Sequence, residues 1–233
     1  MSTPSTTGDT SRQDPPAASL TERRKAETRM EIARAAAGLF VRRGLRATRA
    51  EDIAQAAGIA PRTFYRYFAT KEEAVAPLYA AGARRWAEAV RSAPAALSVP
   101  EALEHAVHHT LTPGEGVSAA SWEWVRTLMH LADTSPALRR VWAEVCRSSE
   151  DLLASILAER MATPADNVAP HPHPHPHLRF TSAVASAAVR VAVESWAAGT
   201  SPASGAQGPA ALALRNLGAL RGFAWGAGEA AGA

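Results

Sequence analysis

One cysteine, Cys146, stands among 233 residues, so no intrachain disulfide is available. A reducing cytoplasm is the expected compartment. No apolar run is long enough to cross a bilayer, so no membrane partner is expected. The opening stretch, MSTPSTTGDTSRQDPPAAS, has neither a basic start nor an apolar run, so it is not expected to act as a secretory signal. It is poor in charge and in core-forming residues, and residues 1–19 read as a disordered tail. Alternating β-branched runs are also scarce. Ala-rich segments punctuated by Gly and Pro predict an all-α chain. There is no Gly-rich phosphate loop, no GxSxG elbow and no HExxH pair, so no enzyme, cofactor or metal is expected. Glu101, Glu104, His105, His108 and His109 do share one predicted helix, but their order is not that of a zinc motif. They read as a solvated polar face.

What the sequence does hold is concentrated between Thr48 and Lys71, TRAEDIAQAAGIAPRTFYRYFATK. Thr48 followed by Glu51 predicts a capping box. A short helix from about Ala50 to Ala57 turns Ile53, Ala54 and Ala57 to one face. Gly58 supplies the stop, and Pro61 opens a second helix at a position where its missing N–H costs little. That second helix carries Arg62, Thr63, Tyr65, Arg66 and Tyr67, with Phe64 and Phe68 on the remaining face. Helix, glycine turn and helix, with basic, hydroxyl and aromatic groups on the second, is the layout a major-groove reader needs. Charge agrees. From Leu20 to Glu73, twelve Lys and Arg face seven Asp and Glu, a net of +5 in a chain whose total is +3. That is an electrostatic footprint for phosphate.

The run TxxEDIAxAAGI from Thr48 to Ile59, the run TFYRYF from Thr63 to Phe68, and Lys71-Glu72-Glu73 resemble the DNA-binding domain of the TetR/AcrR family of transcriptional regulators. The resemblance implies a three-helix helix–turn–helix domain over 20–70 and a helical effector-binding and dimerisation domain over 71–227. It further implies a C2 homodimer, double-stranded operator DNA as partner, and a small-molecule effector. For DNA contact, Arg62 and Thr63 are expected at base edges. Tyr65 and Tyr67 are expected at thymine methyls or phosphates, and Arg66 and Lys71 at phosphates. Ala60 and Pro61 supply apolar contacts, and Thr48 and Arg49 flank the reader. The expected function is a ligand-responsive repressor released from a pseudo-palindromic operator. An activator of the same family, or a helical DNA-binding protein with no effector, would share the same reader.

Before the reader, Thr21 to Arg43 forms an amphipathic helix striped by Ile32, Ala36, Leu39 and Phe40 and ended by Gly44. After it, a fourth helix is expected from Lys71, capped by Thr70. Pro77 inside it predicts either a kink that serves as a hinge or a late start. Further helices are expected over about 100–110 and 118–131. Ser135-Pro136 opens a long one reaching Met161. Residues 162–177, ending in four histidines alternating with proline, predict a flexible exposed loop. Two last helices, about 178–198 and 209–225, precede a Gly/Ala tail over 228–233. In relatives of this family the effector sits among the C-terminal helices. Trp86, Trp122, Trp124, Leu128, Met129 and Trp142 are the candidate lining residues, with Arg126 and His130 as polar handles, which predicts an apolar or aromatic ligand. The C-terminal half loosely resembles regulators related to the mycofactocin regulator, some of which respond to acyl-coenzyme A.

Overall fold

The computed structural model describes residues 19–114, 119–162 and 175–225. Every regular element among them is a helix, as expected. In chain order these are α1 (Leu20–Arg43), α2 (Ala50–Ala56), α3 (Pro61–Tyr67), a single 3-10 turn (Glu73–Val75), α4 (Ala76–Ser92), α5 (Val99–Leu111), α6 (Ala119–Thr134), α7 (Pro136–Met161), α8 (Pro176–Ala198) and α9 (Pro209–Gly218). Among the described residues no helix is long and apolar enough to cross a membrane.

Glycine punctuates the first three helices. Gly44 takes φ +80 and donates its N–H to Phe40 O at 2.9 Å, closing α1, and Gly58 takes φ +68 in the turn between α2 and α3. L side chains rarely adopt that left-handed backbone, and glycine does so freely. Only the reciprocal half of the capping box forms, one residue later than expected, because an arginine side chain has no acceptor for the N3 N–H. Arg49, not Thr48, is the N-cap of α2, and its N–H donates to Asp52 Oδ2 at 2.9 Å. Thr48 is fully buried, and its hydroxyl donates to Gly44 O at 2.9 Å. It therefore fastens the turn after α1 and does not open α2.

The start of α4 is also corrected. Thr70 does cap, accepting from Glu73 N–H at 3.2 Å. The chain then makes the 3-10 turn before α4 begins at Ala76, with Pro77 in the first turn. There its absent N–H would have had no helical partner anyway, so no kink follows and the hinge reading of Pro77 falls. Helix α9 stops at Gly218, short of Trp225. Beyond it, Leu220 and Phe223 N–H groups bond three residues back, in tight turns rather than helix. The loop expected over 162–177 ends sooner than predicted. His175 is the N-cap of α8, and Pro176 and His177 lie within the helix. The rest of the Pro/His tract is outside the described residues.

A continuous core joins the first three helices to the rest. Phe40, Ile53, Phe64 and Phe68 pack with Val75 and Tyr79, and onward to Trp122, Leu138 and Trp196. A second core holds α4, α5, α7, α8 and α9 together around Leu103, Ile156, Leu157, Val189 and Leu217. Arg160 pins the end of α4, donating to Ala93 O at 2.8 Å and Pro94 O at 3.0 Å. Asn216 ties α9 to α8 through Ala188 O at 2.9 Å.

Candidate nucleic-acid interface and effector cavity

Helix α3 sorts its residues by face. Phe64 has no exposure and Phe68 almost none, as expected for the domain's core. Pro61, Arg62, Tyr65 and Arg66 are exposed, and Thr63 and Tyr67 are half-buried. The exposed groups all leave one side of a seven-residue helix, joined by exposed Ala60 ahead of it and Arg49 at the head of α2. Tyr65 stands 53 % exposed, with its hydroxyl 3.4 Å from Glu51 Oε1. The Glu51 carboxylate repels a phenolate there and holds the tyrosine pKa above its ordinary value, so Tyr65 remains a hydrogen-bond donor.

Two expected contact residues have other partners. Thr48 is buried, and its side chain cannot reach a phosphate; its neighbour Arg49 is exposed. Lys71 Nζ donates to Leu45 O at 2.7 Å and Thr48 O at 2.8 Å, clamping the α1–α2 turn against the end of the reader. An ammonium has three protons, so one is left for a phosphate. Sequence reasoning missed Arg29. From α1 it donates to Tyr67 O at 3.1 Å and lies 4.7 Å over the Phe68 ring, closing the C-terminus of α3. The signal was only a cation in α1; nothing along the chain pointed it at a residue 38 positions on.

Behind the reader lies a cavity of about 910 Å³. Trp86, Trp122, Trp124, Met129 and Trp142, with Leu128, all line it, so most of the predicted lining is brought together. Tyr79 packs edge-on to Trp142 with centroids 5.2 Å apart, and its hydroxyl donates to Leu128 O at 3.0 Å. Burial pushes the Tyr79 pKa far up, so it stays a neutral donor. The cavity also reaches farther than expected. Met30, Arg34 and Ala37 of α1 form part of its wall, so it opens onto the helix that braces the reader.

Arg126 and His130 are not among the residues lining this cavity. Arg126 donates to Gly199 O and Ser201 O and lies 4.2 Å over the Trp196 ring. Its fork pins the turn after α8, helped by Trp196 Nε1, which donates to Ser201 O and Pro202 O at 3.1 Å. His130 is exposed and lines a second cavity of about 930 Å³ between α6, α7 and α8. Trp142 and Arg190 stand in the walls of both. Trp142 Nε1 donates to Glu194 Oε1 at 2.6 Å, and Arg190 pairs with Glu194 Oε2 at 3.1 Å, so the partition between the cavities is fixed by bonds. Cys146 also faces both, and burial pushes its thiol up to about 12. On α5, Glu101 bonds the Ser98 hydroxyl at 2.6 Å while His105, His108 and His109 are exposed. Among the described residues no three candidate metal ligands converge.

Residues 32–76 match the family model described as bacterial regulatory proteins of the tetR family, and residues 97–207 match the MftR C-terminal domain. The HTH-type transcriptional regulator TcmR of Streptomyces glaucescens is 32 % identical over 202 residues, covering 83 % of this chain and 81 % of that protein. The chain belongs to the TetR family. The reader alone is 51 % identical over 47 residues to the HTH-type transcriptional repressor KstR2 of Mycobacterium tuberculosis, covering 20 % of this chain and 24 % of that one. In fold, Thermus thermophilus FadR, a TetR-family repressor solved with lauroyl-CoA, superposes with TM-score 0.50 at 26 % identity, covering 82 % of this chain and 92 % of that one. This TetR-family member is a DNA-binding transcriptional regulator with a helix–turn–helix reader and a helical C-terminal domain. Repression is the mode for which two of these relatives are named.

Proposed function

We propose that this regulator represses by holding an operator through α3 and releases it when an apolar or aromatic small molecule fills the 910 Å³ cavity. The observation that carries this is the shared wall: α1 braces α3 through Arg29 and also lines the cavity through Met30 and Ala37. A ligand there touches the reader's own scaffold. Arg62 and Thr63 read base edges, Tyr65 and Tyr67 touch methyls or phosphates, and Arg49, Arg66 and the remaining Lys71 proton bind phosphate. Ala60 and Pro61 pack on the groove wall. The volume falls within the range of small-molecule sites, and the lauroyl chain of the acyl-CoA solved with the FadR relative supports an occupant with an apolar part.

The active form is a C2 homodimer working on cytoplasmic DNA. Half-buried Ala183 and Ala187 and exposed Val191 and Phe180 run along one side of α8. Small residues at that spacing suit close approach by a symmetry mate. A dimer of this kind reads half-sites with centres about 34 Å apart, or a small multiple of that. Fluorescence anisotropy on promoter-proximal and scrambled DNA, at two salt concentrations, tests the reading. The expected preference is about a thousandfold or more. Weak, equal and steeply salt-dependent binding to both would leave only a basic patch.

A further inference from the structure

Residues 42–49, RRGLRATR, close α1 and turn into α2, and they hold four arginines and no acid. Arg42, Arg43, Arg46 and Arg49 are all exposed. Among the described residues none of the four is in an ion pair. The turn that carries Arg46 is fastened from within and from beyond the reader. Gly44 takes φ +80, and the buried Thr48 hydroxyl donates back to Gly44 O at 2.9 Å. Lys71, just beyond α3, donates to Leu45 O at 2.7 Å and Thr48 O at 2.8 Å. Arg46 lies between those two carbonyls in the chain, and Arg49 follows the second. An ammonium that gives two of its three protons to backbone has committed most of its bonding to the turn. At the α2 end, Glu51 Oε1 stands 3.4 Å from the hydroxyl of exposed Tyr65. The arginine-bearing turn is thus anchored by Lys71 and borders the outward side of α3.

We infer that the α1–α2 turn is a second phosphate site on the duplex that α3 reads, with Arg46 its central cation, and that Lys71 and Thr48 serve DNA binding chiefly as positioning residues for it. This rests on α3 being the DNA reader. The occupant is a backbone phosphate beside the groove, because the first helix of a helix–turn–helix pair crosses the backbone there. A guanidinium fork fits two phosphate oxygens. On a fixed turn it meets them at less ordering cost than on a loose loop. The contact reads no base, so it adds the same affinity on every sequence.

Fluorescence anisotropy on the promoter-proximal duplex and a scrambled duplex, over a range of salt, tests both parts. Each lost phosphate contact lowers the slope of log affinity against log salt by about 0.9. Arg46→Ala should lower it by that amount on both duplexes, and Arg46→Lys should keep it. Thr48→Val removes no charge, yet should lower the slope at least as far, while Thr48→Ser keeps it. A residue that only stabilised the fold would lower the melting temperature and leave the slope alone. Lys71→Met should lower the slope by about twice that amount or more, and Arg46→Ala added to it should change little further. Thermal melts confirm that each variant is folded at the temperature of titration. A wild-type slope for Arg46→Ala removes the turn from the interface and leaves α3 as the reader. A wild-type slope for Thr48→Val overturns its positioning role. Arg46→Ala taking its full share from Lys71→Met overturns that of Lys71. If the wild type binds neither duplex in a salt-dependent way, the reader and the turn fail together.

Discussion

Helix α3 and the cavity behind it use the same residue types in opposite ways. On α3, tyrosine and arginine side chains stand outward from a helix anchored by one buried ring, Phe64. In the C-terminal body, indoles and arginines surround a space and Tyr79 is buried to the hydroxyl. The reader suits a polymer whose charge and base edges lie outside the protein. The body suits a small molecule that must leave water. The reader's chemistry therefore depends on a few anchors beneath an exposed face, while the body's depends on which donors its own backbone has already taken up.

The largest expected effect sharpens that contrast at the anchor. Phe64→Ala removes a fully buried ring from a small domain and should cost about 3–5 kcal/mol. In urea unfolding followed by circular dichroism, an early transition should appear for the reader, with the later one for α4–α9 in place. A single transition shifted as a whole would show that the shared core makes one cooperative unit. Next in size is Arg62→Ala, expected to cost about 1–3 kcal/mol of operator affinity and to relax preference at one base pair. Equal loss on every sequence would reassign Arg62 to phosphate.

On the body's side, Tyr79→Phe removes a buried hydrogen bond and should cost about 1 kcal/mol of stability while operator affinity in the absence of ligand stays unchanged. It should also alter alkaline unfolding. The folded pKa of Tyr79 is raised above its ordinary 10.0, so its contribution is complete below pH 10 and is lost as pH climbs beyond, because the unfolded phenol ionises first. The variant should lose less stability above pH 10 than the wild type. The smallest effect concerns Cys146. With its thiol pushed from 9.0 up to about 12, reaction with a disulfide reagent should be slow at pH 8 and quicken only well above pH 9. A cavity ligand should slow it further.

The elements that sequence reading located rest on local rules. Pro61 at the head of α3, Gly44 and Gly58 in their turns, and Ser135-Pro136 opening α7 each act within a few residues, and each stands where expected. The capping box slipped because Thr48 and Arg49 each have an acid three residues on, Glu51 and Asp52. Only the burial of Thr48 against Gly44 O decides between them. Arg126 looked like a ligand handle because it shares α6 with the lining tryptophans. Its true partners lie 73 and 75 residues away, in the turn after α8. The α1 wall of the cavity is equally remote from the tryptophans in sequence. In the reader, each face of a short helix announces its role. In the body, indole spacing marks candidates for a wall but says nothing of which N–H groups are already bonded.

That α1 wall has a thermodynamic consequence. Met30 and Ala37 lie on the helix that Arg29 joins to α3, so under the proposed function an operator on α3 and an effector in the cavity would both bear on α1. Any factor by which the effector lowers affinity for DNA must then equal the factor by which DNA lowers affinity for the effector. A tightly occupied operator acts as an antagonist of its own inducer. The concentration of small molecule needed for release rises with the strength of the site, so promoters of graded quality under one such protein would open in sequence as the signal accumulates.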